Sequence, residues 1–341
     1  MIQIAVAAMM WILVASILIL RRGRRERSLT YAAIAIAVAM TLNVDVVYLG
    51  ADRLLGAANR VTLIADGVLM IGLFFLGRGI MKAGEYRPGL VRAALARPTL
   101  LLSLICLIGS FWIVELGPTT TEFMVEFGGQ PAAAIYSMIG FAYCGIVVTA
   151  MGILAWRQFR QSRGPMRVPV LEVVVGAAFG VLLCIVVLIM DVAHLAGALD
   201  LMAAVSTAYG PLNLLTFVFL CSGLAGQPIV RAAEERSRRT KSEDIMSRIE
   251  PTWRRASLLH PGLSQAGGMD ASSENPEARL HRAVVEIRDA MLDSRIDFRV
   301  DGAELTLLQA AEGHLLGQSA LSSTRRQATT AADDSGPPGE P

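Results

Sequence analysis

Seven stretches of this chain, at 2–20, 29–49, 61–81, 99–116, 132–156, 170–191 and 201–221, are almost wholly apolar, and each is about as long as a bilayer crossing. A hydrocarbon core of roughly 30 Å takes about 20 helical residues to cross. None of the seven alternates as a barrel strand does, so helices are the spanning structure that can satisfy their backbone groups in lipid. The pattern predicts an all-α polytopic membrane protein with seven transmembrane helices.

Basic residues between the stretches predict the sidedness. The first, third and fifth connections hold Arg21, Arg22, Arg24, Arg25, Arg27, Arg78, Lys82, Arg87, Arg92, Arg97, Arg157, Arg160, Arg163 and Arg167, whereas the second, fourth and sixth offer only Arg53 and Arg60. Fourteen against two predicts a cytoplasmic face for the odd connections, an N-terminus outside and a C-terminus inside. Only Met1 precedes the first apolar run and its charge follows it, the pattern of an anchor and not of a cleaved signal peptide. Arginine outnumbers lysine 29 to 2, a usage associated with high-GC bacteria; the expected location is a bacterial plasma membrane, multi-pass. Residues 225–341 carry 15 basic and 18 acidic side chains, which argues against a nucleic-acid partner. Cys106, Cys144, Cys184 and Cys221 all fall inside apolar stretches with no C-x-x-C pair, so they read as packing residues, and neither a metal nor a cofactor is implied.

Three regions follow from composition: a seven-helix transmembrane domain at 1–228, a mostly helical cytosolic domain at 229–318 with a flexible linker near 262–276, and a disordered tail at 319–341. In the second region Leu280, Val284, Ile287 and Met291 recur at helical spacing, an amphipathic helix over 276–296. The run Arg279-Leu-His-Arg-Ala-Val-Val-Glu-Ile-Arg-Asp-Ala-Met-Leu292, preceded by Pro251-Thr252-Trp253, resembles the signature of an actinobacterial family of seven-helix integral membrane proteins described as transporters, whose C-terminal domain has no known function. That family usually has Leu where Thr252 stands. Asp52-Arg-Leu-Leu-Gly-Ala-Ala-Asn59 is similar to the family's second connection. The resemblance implies the same seven-helix topology, with transport as a family-level expectation.

Ionisable groups inside spans are costly and so are candidates for function. Asn43, Asp45, Asp66, Asp191 and His194, with Glu115, fall near the outer ends of their spans and form a candidate polar or cation-binding site, the alternative being side chains that reach the headgroup region. Gly210, Pro211 and Asn213 mark a candidate helix break inside the seventh span. Gly176-Ala-Ala-Phe-Gly180 permits close helix approach, inside the bundle or between subunits of a homo-oligomer. Asp45-Val-Val-Tyr-Leu-Gly-Ala51 aligns with Asp191-Val-Ala-His-Leu-Ala-Gly197, which would fit a parallel repeat. On the tail helix, Arg282, Glu286, Arg288 and Asp289 form a candidate docking face for a cytosolic protein, or else the solvated face of a small folded domain.

No H-E-x-x-H, G-x-S-x-G or mid-span aspartate pair is present, so an enzyme is not expected. Two functional classes remain, each with the lipid bilayer as its surroundings. The first is a sensor or regulatory scaffold that signals through its C-terminal domain, preferred because the sharpest motifs lie there. The alternative is a small-solute or ion transporter.

Overall fold

A computed structural model describes residues 2–20, 28–83, 89–259, 275–293 and 297–316. Arg21 to Arg27, Arg87, most of the expected linker and the expected tail from 319 lie outside these. The described residues form thirteen α-helices and no strand: α1 (Ile2–Leu20), α2 (Ser28–Leu42), α3 (Asp45–Leu54), α4 (Arg60–Ala83), α5 (Gly89–Ala94), α6 (Arg97–Ile113), α7 (Phe123–Phe127), α8 (Pro131–Gln161), α9 (Arg167–Leu195), α10 (Leu199–Ser206), α11 (Tyr209–Leu259), α12 (Pro276–Leu292) and α13 (Gly302–Leu315). The chain divides into two compact units, Met1–Ala232 and Ala233–Pro341.

In the first unit, five helical segments are long and apolar enough to cross a membrane, six if the bent pair α2–α3 counts as one. α6 is apolar but has only 17 residues. Trp112, Ile19, Ile105 and Ile12 are all well exposed. Large apolar side chains exposed in such number are a liability in water and unremarkable in lipid, so the unit has the surface of a membrane protein.

The second expected span is not one helix. After α2 the chain turns through 88° into α3. The Thr41 hydroxyl donates back to Ala37 O (2.7 Å), which weakens the helical ladder, and Val44 is extended. Asp45 then opens α3, where a carboxylate favours the positive helix end. The seventh span runs on as one segment without a comparable bend, and only a two-residue turn separates α10 from α11. It falls at Thr207–Ala208, with Gly210, Pro211 and Asn213 inside the first two turns of α11. Proline has no N–H to donate to the carbonyl four residues before it and clashes with that carbonyl; for Pro211 the displaced group is Thr207 C=O, so the irregularity lies one helical turn upstream of the proline.

The glycines of the sixth span are used inside the unit. A Cβ at Gly176 would lie 2.8 Å from Leu220 N, and one at Gly180 3.1 Å from Val148 Cγ1 and 3.2 Å from Thr216 Cγ2. Gly223 of α11 approaches the α9 backbone equally closely, with Pro169 O 2.7 Å from its virtual Cβ. Asp45 and Asp191 do not occupy equivalent positions: the first begins α3 after a sharp bend, the second lies within the uninterrupted α9.

The second unit, from Ala233, has its own core of Ile245, Met246, Ile249, Leu280, Val284, Ile287, Phe298 and Leu308. Asn275 caps α12 with Pro276 at its first position, and Asp301 with Glu304 forms a reciprocal capping box on α13. The family-like motifs meet in this unit. Trp253 Nε1 donates to Glu286 Oε2, and Arg288 holds Glu312 through two hydrogen bonds of 2.7 and 3.1 Å. Thr252, where the resembled family has Leu, is buried and donates to Glu304 Oε1 at 2.7 Å.

Candidate functional site

The apolar helices of the first unit line a partly open cavity of about 1000 Å³. α1 presents Val6, Met10, Leu13 and Ile17 at helical spacing to it, the outcome expected when one stripe of a helix faces an interior. α2, α4, α8, α9 and α11 supply the other walls. Polar residues collect at one end: Gln3, Asn43, Asp45, Tyr48, Asp66, Glu122, Tyr136, Ser137, Asp191, Tyr209 and Asn213. Gln158, Gln227 and Arg231 lie on the stretches of α8 and α11 farthest from that end. Between the two ends the lining is apolar, including Met10, Leu13, Met70, Leu73 and Leu183.

Of the residues singled out in sequence, Asn43, Asp45, Asp66, Asp191, Gly210 and Asn213 line this cavity together. Pro211 is exposed and does not. His194 is half-buried and sits against the Gly128–Gly129 turn instead, where a Cβ on Gly128 would meet its Nδ1 at 2.6 Å. Glu115 is exposed, and its backbone is clasped by the Gln130 amide.

Each carboxylate has a different setting. With its amide nitrogen facing them, Gln3 donates to Asp45 Oδ1 (3.0 Å) and to Asn43 O (3.1 Å), so the first turn of α1 closes over the α2–α3 bend. Asp66 accepts a 2.6 Å hydrogen bond from the Tyr136 hydroxyl. Tyr136 is held in turn by Phe111 and Phe123, whose rings are 5.5 and 5.9 Å away. Ser137 follows on α8 and faces Asp191 of α9. Asp191 and Ser137 are each 4 % exposed, and the Ser137 hydroxyl is the group placed to donate to the Asp191 carboxylate, although Asp191 Oδ2 and Ser137 Oγ fall short of full hydrogen-bond geometry. Adjacent residues of α8 thus address carboxylates on two different helices.

Beside this end of the cavity lies a second polar cluster that the sequence did not announce as a site. Asp52 is fully buried and accepts from Asn59 N (2.9 Å), Val61 N (3.2 Å) and the Thr119 hydroxyl (2.6 Å). Asn59 Oδ1 accepts from the Tyr48 hydroxyl (3.0 Å) and Thr120 N (2.9 Å), while its Nδ2 donates to Pro118 O (3.1 Å). The local chain explains the arrangement. α3 ends in a Schellman turn, with Gly56 at φ +97° and Ala57 N bonded to Asp52 O. Asn59 itself sits at φ +54°, a region Asn tolerates better than most residues. The two ends of the family-like Asp52–Asn59 segment therefore clasp the 118–120 segment beside the cavity mouth. Tyr136 and Ser137 were also missed; their signal was a pair of hydroxyl residues inside an apolar span.

On the second unit, Glu286 and Arg288 are engaged by Trp253 and Glu312 as described, Asp289 is half-buried, and Arg282 is exposed. The structure therefore gives Glu286 and Arg288 a place in the unit's own fold.

Among the described residues no group of three or more His, Cys, Asp or Glu comes together that could hold a metal ion. Compared with protein families, characterised proteins and solved structures, the chain matched nothing.

Proposed function

We propose that this chain is a multi-pass transporter of the bacterial plasma membrane that admits a small amphiphilic solute into the cavity between its helices. The observation that carries the reading is the extent of the cavity, whose lining runs from Gln3 and Glu122 to Gln227 and Arg231. A site that only senses needs one opening, whereas alternating access needs a route to each face. Seven crossings follow if α2 alone spans, at 15 residues or about 22 Å, with α3 lying along the outer surface, and α6 spans in the same short fashion. The N-terminus is then outside, and the basic residues of the odd connections and the second unit are in the cytosol. The likeness to the actinobacterial transporter family agrees with this reading.

A sensing role has one observation in its favour: α11 supplies both cavity residues such as Asn213 and core residues of the second unit such as Ile249. An accessibility experiment separates the two. Single cysteines at Gln3 and Gln227, in a background with Cys106, Cys144, Cys184 and Cys221 replaced by Ala, are exposed to a membrane-impermeant thiol reagent in oriented vesicles. A transporter is labelled at Gln3→Cys from outside and at Gln227→Cys from inside. Labelling from one face only would sink the transport reading and favour the sensor.

A further inference from the structure

The two ends of the cavity differ in how far their polar groups are already engaged. At the acidic end the side chains serve one another: Tyr136 donates to Asp66, Tyr48 bonds Asn59 and Thr62, and Ser137 is set against Asp191. At the opposite end Gln158, Gln227 and Arg231 line the cavity, and among the described residues their side chains make no hydrogen bond or ion pair. Arg231 is the one basic side chain among the described lining residues, and no acidic one lines that end.

Helix register explains why these three meet. Ala155 of α8, Val173 of α9 and Leu220 of α11 form one small apolar cluster, with Leu224 packed against it. Gln158 follows Ala155 by three residues, and Gln227 and Arg231 follow Leu224 by three and by seven. Each therefore projects from the same helix face as the cluster, one or two turns farther along. Gly226, beside Gln227, lets α11 press against α9: a Cβ there would lie 2.9 Å from Pro169 Cβ.

The space leading away from this end is apolar. Along α11 from Asn213 to Gln227 the rise is about 21 Å. Leu13, Ile17, Leu73, Leu76, Val148 and Leu220 are among the residues that line the cavity over that part. A corridor of this length and character suits an extended hydrocarbon chain, each of whose methylenes gains by leaving water. The head group is set by charge. A carboxylate only accepts hydrogen bonds, whereas the Arg231 guanidinium fork and the glutamine NH2 groups donate them. At the far end the same head would meet Asp45, Asp66, Glu122 and Asp191 with no cation among them, so one orientation is favoured.

We infer that Arg231, Gln227 and Gln158 form the head-group site for a long-chain carboxylate, which enters tail first from the cytosolic face of the proposed topology and lies along the leucine-lined corridor. This deepens the transport reading by naming the class of amphiphile, and it rests on the cavity being the solute's route.

The test uses the full chain in nanodiscs of zwitterionic phosphatidylcholine, where no anionic lipid competes. Three radiolabelled probes of equal chain length are compared, dodecanoate, dodecanol and dodecylammonium, with partition into empty nanodiscs subtracted. Dodecanoate is expected to bind saturably and the other two not. Arg231→Gln is expected to weaken that binding by about tenfold or more, and Gln227→Leu and Gln158→Leu to weaken it by less. Arg231 is exposed, so its replacement should leave elution volume and melting temperature unchanged. Arg160→Gln removes an exposed cation of α8 that does not line the cavity, and is expected to leave the affinity unaltered. Dodecanol or dodecylammonium binding as tightly as dodecanoate overturns the inference and leaves the cavity reading intact. Equal dodecanoate affinity in the wild type and Arg231→Gln overturns it, and so does an equal loss in Arg160→Gln, which assigns the effect to general surface charge. Absence of saturable binding by all three probes overturns it as well. Saturable, Arg231-dependent binding without uptake into proteoliposomes supports the site and removes the transport reading.

Discussion

Asp52 is the residue whose loss the first unit should tolerate least. Its carboxylate is fully buried and meets three donors, two of them backbone N–H groups at the start of α4, where the helix dipole favours a negative charge. Asp52→Ala leaves those donors without a partner in a dry place, at a cost of roughly 2–4 kcal/mol. The expected outcome is a clear fall in melting temperature of the detergent-solubilised protein. Thr252 makes a parallel case in the second unit. Burial pushes the Glu304 carboxyl upward, but hydrogen bonds from Thr252, from Asp301 N and from Arg255 outweigh it and hold the group below the usual carboxylate range. A Leu at 252 in place of Thr would remove one of these bonds. None of this was visible in the one-dimensional pattern, which marks charged residues in spans but not a carboxylate whose donors come from 61 and 119.

Helix contacts depend on absent side chains as much as on present ones. Where α9 meets α11, any side chain at Gly223 would run into Pro169 O and Val173 N, which are backbone atoms and cannot swing aside. Gly223→Val is therefore expected to lower the melting temperature strongly. Gly109→Ala in α6, where a Cβ meets nothing within 4 Å, should be neutral or slightly stabilising. In the second unit, Leu280→Ala opens a cavity at a fully buried position of α12 and should cost about 2–5 kcal/mol. His314 of α13 gives that unit a pH dependence. Burial, with Lys241 and Arg238 nearby, holds its imidazole below the usual histidine range, and Ser242 Oγ lies 2.9 Å from its Nε2. A depressed folded pKa means the unfolded chain takes the proton first. The contribution is present above about pH 6.5 and declines as pH falls below it. Protection of α13 amides from hydrogen exchange, corrected for intrinsic rates, is expected to fall between pH 7.5 and 5.5. His314→Gln should flatten that change.

At the scale of the molecule, the proposed topology makes a direct prediction. A periplasm-active enzyme fused after Gly56 is expected to be active, and the same enzyme fused after Gly164 inactive, with a cytoplasm-fluorescent reporter giving the reverse. The opposite result would invert the assignment of the cavity's acidic end to the outside. The location of that cavity also explains why the sharpest motifs do not coincide with the candidate site. Trp253, Glu286 and Arg288 close a small domain on itself, a geometric requirement that tolerates little variation in residue type. The polar end of the cavity instead draws one or two residues from each of several helices, and each leaves only a letter or two in a run of apolar ones.

The apolar, all-helical character of this chain was settled by its sequence alone, because stretches of about twenty residues without charge have one workable conformation in lipid. The same holds for the charge asymmetry of its connections and for the amphipathic stripe of α12, since both are local properties of composition and spacing. Asp45, Asp66 and Asp191 were legible as unusual for the same reason. Only the tertiary structure decided that these three share one cavity while His194 turns away to Gly128, that Asp52 and Asn59 form a clasp, and that Gly176 and Gly180 serve contacts within the unit. Each of those depends on which helix faces are brought together and on a bend of 88° between α2 and α3. Long-range packing selects among orientations that the local sequence leaves equally open.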